Sequence, residues 1–367
     1  MFKVLSLLLI GGLSLLGLAS FGAQGMTLPV PGYYLAPDTN GLIQVWQLPV
    51  DGSASQMLTA APASIVDYAL APDGTHLAYT SEQQLWLQSL DGSAPVALAA
   101  LSAVEGSHPV FSPDGQMLAY ADNGLWIIGA DGSDPRQLLE NVPLDPNDVA
   151  AVRHYQPDQF VDANTLIVTI GVWEGVNAGL VDITSGDFQE LPPMIHTGLL
   201  PLADGRLLVY GNNGVFGEFN LQVADPADLT ALETVLDFSN ITDRVLFVER
   251  AYEIEPGLVR LVGTTLAPDS SDPTPYAFAF TFDLIDGELR GDMQFFPMMV
   301  VNESPITYLG ALAPDGTLLV QYANVYYDTA LDPGGIITGS LSFHNLETGE
   351  QISYESFGPV SSFQWGA

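Results

Sequence analysis

The sequence predicts an all-β fold, a β-propeller of seven four-stranded blades, and three observations predict it. Asp51-Gly52-Ser53, Asp91-Gly92-Ser93 and Asp131-Gly132-Ser133 recur at a fixed spacing of 40 residues. Trp46, Trp86 and Trp126 keep that spacing, each five residues ahead of its Asp. A second turn, Pro72-Asp73-Gly74, recurs in phase as Pro113-Asp114-Gly115, Ala203-Asp204-Gly205 and Pro314-Asp315-Gly316. Pro presets φ, Asp bonds back to the backbone and Gly supplies positive φ without steric cost, so these are turns with a mechanism. Between them lie short apolar runs, four to a unit. A single four-stranded meander buries too little apolar surface to stand alone, and stacking such units in a ring solves that problem.

In chain order, residues 1–25 read as a signal peptide. Lys3 precedes an apolar stretch from Val4 to Leu18, and Phe21-Gly22-Ala23 or Ala23-Gln24-Gly25 supplies the small-residue cleavage site. The competing reading is an uncleaved anchor over Val4 to Phe21; both place the fold outside the cytoplasm. Residues 26–367 read as one propeller domain. Complete blades are expected near 65–100, 105–140, 150–193, 195–238, 241–300 and 303–358. Segment 30–60 supplies three strands and lacks the innermost one, while Pro359 to Trp365 is a spare apolar strand at the other end. The two ends are expected to complete one blade together and leave no free sheet edge. Later turn copies, Asp162-Ala163-Asn164 and Glu255-Pro256-Gly257, are degenerate, which leaves six or eight blades as alternatives.

The formal net charge of −35 comes from missing bases rather than from an acidic run: Asp and Glu total 43, against 8 Lys and Arg, and Lys3 is the only lysine. Nucleic acid and anionic membrane are excluded as partners, because both require basic patches. With no cysteine there is no disulfide, thiolate metal site or Cys nucleophile. No Gly-x-Ser-x-Gly elbow, phosphate-binding Gly loop or His-Glu-x-x-His appears in the 26–367 region. No catalytic residue, metal or cofactor is assigned, and a monomer is expected.

The Pro-Asp-Gly, Trp and Asp-Gly-Ser pattern, clearest at Ala71–Tyr79, Ser112–Tyr120 and Ala313–Val320, resembles the WD-like repeat of TolB-type propellers. It is also similar to the propeller domains of prolyl oligopeptidases and dipeptidyl peptidases. The resemblance implies the fold and leaves the function open. No stretch here corresponds to TolB's N-terminal α/β domain or to the peptidases' hydrolase domain.

Strand order places the Asp-Gly turns on one end of the ring and the blade-to-blade and second-to-third-strand connections on the other. Asp67, His108 and His196 lie five residues ahead of Pro72, Pro113 and Pro201, which puts them at the start of innermost strands around the channel mouth. Trp173, Tyr322, Tyr326 and Tyr327 fall toward the same end, as do the long connections 264–275 and 323–337, and long insertions on one face of a repeat ring are commonly binding elements. The predicted ligand-binding set is Asp67, His108, His196, Trp173, Tyr326 and Tyr327. Trp46, Trp86 and Trp126 are expected between blades. Two functions follow. One is a secreted or periplasmic propeller that binds a protein or small ligand at the channel mouth without catalysis. The alternative is a glycan-active hydrolase or lyase using mouth carboxylates, from Asp67, Glu105, Glu174, Asp269, Asp328 and Asp332.

Overall fold

The computed structural model describes residues 27–102, 107–173, 175–192, 195–212, 220–238, 246–265, 276–297, 300–301, 304–305, 307–324, 339–356 and 360–366. Seven four-stranded antiparallel sheets follow one another around a ring. Blade 1 holds β1 (Gly32–Pro37), β2 (Ile43–Leu48) and β3 (Gln56–Met57). Blade 2 is β4 (Asp67–Leu70), β5 (His76–Ser81), β6 (Gln84–Ser89) and β7 (Val96–Ala100). Blade 3 is β8 (Val110–Phe111), β9 (Met117–Ala121), β10 (Gly124–Gly129) and β11 (Arg136–Glu140). Blade 4 is β12 (His154–Phe160), β13 (Thr165–Val172), β14 (Gly175–Asp182) and β15 (Phe188–Glu190). Blade 5 is β16 (Ile195–Pro201), β17 (Leu207–Asn212), β18 (Asn220–Asp225) and β19 (Asp228–Asp237). Blade 6 is β20 (Leu246–Glu255), β21 (Leu258–Thr265), β22 (Tyr276–Asp283) and β23 (Glu288–Pro297). A two-stranded ribbon, β24 (Val300–Val301) with β25 (Ser304–Pro305), leads into blade 7: β26 (Thr307–Leu312), β27 (Leu318–Asn324), β28 (Gly339–Asn345) and β29 (Gln351–Ser356). The last strand, β30 (Ser361–Trp365), pairs antiparallel with β1 and becomes the innermost strand of blade 1. The ends of the chain therefore close the ring, with seven blades, as the sequence predicts.

The turns are built as their residues dictate. Gly74, Gly115, Gly205 and Gly316 have φ of 67, 70, 87 and 72°. The Asp before each accepts the N–H two residues on, at 2.9 Å for Thr75 and 3.0 Å for Gln116, Arg206 and Thr317. Asp51, Asp91 and Asp131 do the same for Ser53, Ser93 and Ser133 at 3.0, 2.8 and 2.9 Å. Every turn aspartate is thereby occupied with backbone.

The core lies between blades. Seven apolar clusters are seen among the described residues, and each joins two neighbouring blades. Blade 7 meets blade 1 through Phe343, Val360 and Phe363, and blade 5 meets blade 6 through Leu208, Val259 and Phe278. Trp46, Trp86 and Trp126 pack half-buried against three of these clusters. Their indole N–H groups donate to the carbonyls of Ala36, Ser81 and Asp122 at 3.0, 3.3 and 2.9 Å. The repeated Trp thus combines inter-blade packing with a tie to the strand beside it, the usual arrangement for an indole with one apolar and one wet end.

Candidate functional site: the channel mouth

Innermost strands start at the end of the ring carrying the blade-to-blade connections, so their first residues surround the channel mouth. Asp67 and His108 meet there. The His108 backbone N–H donates to Asp67 Oδ2 at 2.6 Å, and His108 Nδ1 lies 4.0 Å from the same oxygen. His108 has φ of +46°, a left-handed conformation uncommon outside glycine, and the Asp67 carboxylate holds its N–H in that geometry. Asp67 is turned into the wall, with its side chain 14% exposed and Oδ1 buried without a partner, whereas His108 is 48% exposed. Burial pushes the Asp67 carboxyl upward, and the His108 N–H, the imidazole and the Thr80 hydroxyl only partly offset it. Asp67 therefore acts as the support and His108 as the surface.

His196 falls elsewhere than the spacing predicts. The Gly205 N–H bonds to Leu202 O as that of Gly74 bonds to Ala71 O, so Gly198 stands level with Asp67. The matching proline position is thus Ala203 rather than Pro201. His196 occupies the residue skipped between the Ile195–Asn212 and Thr197–Gly211 pairs, a β-bulge nearer the rim. Trp173 is 48% exposed in the connection between β13 and β14, on the same end. Tyr326, Tyr327, Glu105, Glu174, Asp269, Asp328 and Asp332 lie outside the described residues, as do residues 1–26 and most of 264–275 and 323–337.

His108 borders a cavity of about 610 Å³ walled by the inner strands of blades 4 to 6. This cavity supplies the residues that spacing alone does not find: Asp158, Tyr210, Glu249 and Arg250. Two of them owe their orientation to bulges. Asp158 is the extra residue between the Pro157–Val168 and Gln159–Ile167 pairs, and Glu249 is the extra residue between the Val248–Gly263 and Arg250–Val262 pairs. A bulge bends the strand and re-aims one side chain without disturbing the core residues on either side. Blades 4, 5 and 6 thus each carry a bulge in the innermost strand, at Asp158, His196 and Glu249.

Tyr210 reaches the cavity from a second strand, β17, across Gly198. A Cβ at Gly198 would lie 2.3 Å from Tyr210 Cζ and 2.5 Å from its hydroxyl oxygen. The bare backbone of β16 is the platform on which the phenol lies.

Asp158, Glu249 and Arg250 are exposed, but toward the cavity, where inner strands wall them on several sides. That enclosure raises the Asp158 carboxyl, with Arg250 opposing the rise. It raises Glu249 as well, against the Thr264 hydroxyl, which donates to Glu249 Oε1 at 3.0 Å, and against Arg250. Burial, followed by the Asp158 charge, raises the Tyr210 hydroxyl. For Arg250, enclosure works to lower the guanidinium, but Tyr210, Tyr252, Asp158 and Glu249 outweigh it and hold it above its ordinary value. The site is a pocket of opposed charges between low-dielectric walls, where each charge acts more strongly than in bulk.

The fold has relatives among solved structures. The chain is similar to TolB from Acinetobacter baumannii at 12% identity and a TM-score of 0.50, covering 92% of this chain and 66% of that one. An oligogalacturonate lyase from Vibrio parahaemolyticus matches at 12% identity and 0.55, covering 88% and 84%. Oligopeptidase B from Leishmania major matches at 12% and 0.56, covering 89% of this chain and 47% of the peptidase. No protein-family model and no curated protein sequence matches. The chain is a seven-bladed propeller with the fold of TolB and of the propellers of oligopeptidases.

Proposed function

We propose that this chain is an extracytoplasmic binding propeller that holds a ligand in the channel-mouth cavity and performs no covalent chemistry on it. The observation that carries this reading is the cavity itself: about 610 Å³, concave, and lined by ionisable side chains from the bulged innermost strands of blades 4 and 6. Few precisely placed polar groups in a concave, preformed site are what small-ligand recognition needs. His108 and Trp173, at the same end of the ring, supply the rim. The test is a thermal-shift and titration screen of the full chain against extracytoplasmic metabolites, repeated with Asp158→Asn and Glu249→Gln. A ligand whose affinity falls with both substitutions supports the reading; ligands indifferent to both remove it.

A second reading, a glycan-active hydrolase or lyase, is favoured by one observation: two lumen carboxyls, Asp158 and Glu249, are both raised, as an acid catalyst requires. An oligogalacturonate lyase is also among the proteins sharing the fold. Turnover of polygalacturonate or other polysaccharides, lost in Glu249→Gln, would decide for it. Extracytoplasmic placement rests on residues 1–25; N-terminal sequencing of the mature protein should begin at residue 24 or 26.

A further inference from the structure

Arg250 stands out by what its guanidinium does not do. In a chain of 8 basic residues, the other described arginines are spent on structure. Arg136 donates across the blade boundary to Ile183 O, and Arg260 to Gly316 O and the Thr281 hydroxyl. Arg153 pairs with Glu190 at 3.1 Å, Arg206 with Asp204 at 2.7 Å and Arg290 with Asp283 at 2.5 Å. Among the described residues Arg250 makes one hydrogen bond, from Nη1 to its neighbour's carbonyl, Glu249 O, at 2.8 Å. It forms no ion pair among the described residues, although Asp158 and Glu249 face the same cavity. A guanidinium has five donors in a rigid fork, so most of this one's capacity is unspent. Asp158 likewise has no hydrogen-bond partner among the described residues. Two opposite charges in one enclosure that do not close on each other leave room for a ligand carrying the complementary pair.

We propose, building on the binding function above, that the cavity takes a small amino-acid-type ligand with one carboxylate and two ammonium groups. The carboxylate lies on the Arg250 fork and the ammonium groups face Asp158 and Glu249. The charge balance selects this class. The cavity brings two carboxylates and one guanidinium, so a simple anion meets two like charges and a simple cation meets Arg250. A ligand of net charge +1 with both signs neutralises the site, and the −35 field of the chain draws it in. Charge-assisted hydrogen bonds at both ends fix its orientation.

The test is calorimetric titration of the full chain with L-lysine and three analogues, each missing one group. Cadaverine lacks the carboxylate, 6-aminohexanoate the α-ammonium and norleucine the side-chain ammonium. L-lysine should bind at least tenfold more tightly than each analogue. Arg250→Gln should weaken L-lysine about tenfold or more while leaving cadaverine nearly unchanged, and Asp158→Asn should weaken both. Near-ultraviolet circular dichroism of each variant keeps a folding defect from passing as a binding defect. Equal affinity for L-lysine and cadaverine, or no binding of L-lysine, overturns the proposal. If galacturonate or glucose binds instead, and Glu249→Gln abolishes that binding, the ligand class is wrong and the binding function stands. If nothing binds and no lumen substitution changes any titration, both fall together.

Discussion

At Gly198 the missing side chain is what lets Tyr210 lie across the inner strand and reach the lumen. Gly198→Ala would drive a Cβ to 2.3 Å from the phenol ring, so Tyr210 must leave its place. We expect a loss of about 1–3 kcal/mol in urea unfolding together with weaker ligand binding. Gly74→Ala is the informative contrast: φ is +67° but nothing lies within 4 Å of the new Cβ, so only backbone strain opposes it. About 1 kcal/mol should be lost, with binding unchanged. His344 predicts a pH effect. It is 4% exposed and rests on the Phe296 ring at 4.7 Å, with Nε2 lacking a partner among the described residues. Burial lowers it from 6.5 to about 4. The unfolded chain takes up a proton near pH 6.5 while the folded chain resists until about pH 4, so acidification favours unfolding through that window. Between pH 7 and pH 5 the wild type should lose about 2 kcal/mol that His344→Leu does not lose, measured as the difference in urea midpoints at the two pH values.

Among the elements, turns and bulges differ in how far the sequence reveals them. An Asp-Gly turn is specified by the residues within it, because positive φ and the Asp-to-N–H bond demand those types. Blade boundaries and the ring closure were therefore legible. A bulge places no such demand on its extra residue, and in blades 4 and 6 the neighbouring turns, Asp162-Ala163-Asn164 and Glu255-Pro256-Gly257, are degenerate. Asp158 and Glu249 were hidden for that reason, and in blade 5 His196 was assigned to the level that Gly198 holds. Arg250 alone left a trace, as one of few bases in an acidic chain. Deleting Glu249 tests the bulge directly. With the extra residue gone, Val248 and Arg250 become neighbours opposite Gly263 and Val262, so the pairing with β21 runs unbroken and Leu246, Val248 and Ala251 stay on the core side. The urea denaturation midpoint should therefore stay nearly unchanged, while binding in the cavity falls with the lost carboxylate and the straightened strand; a large fall in the midpoint would show that the bulge is needed for the fold.

For the whole molecule, stability is a property of neighbouring blades, since every apolar cluster among the described residues bridges two of them. The joint between blade 7 and blade 1 depends on the last strand. Val360 is fully buried and Phe363 is 5% exposed, and the Phe363 ring fills the space beside Gly32. Removing 360–367 should cost roughly 2 kcal/mol for each of these two side chains and expose the edge of β1. The truncated chain is expected to self-associate and to elute ahead of the intact chain in size-exclusion chromatography. The pairing of Gly32 with Trp365 has one more consequence. β1 begins and β30 ends at the Asp-Gly turn end of the ring, opposite the mouth. A tag or surface linkage added after Gly366 would hang from the floor, so an immobilised copy would stand upright with its cavity facing the solution.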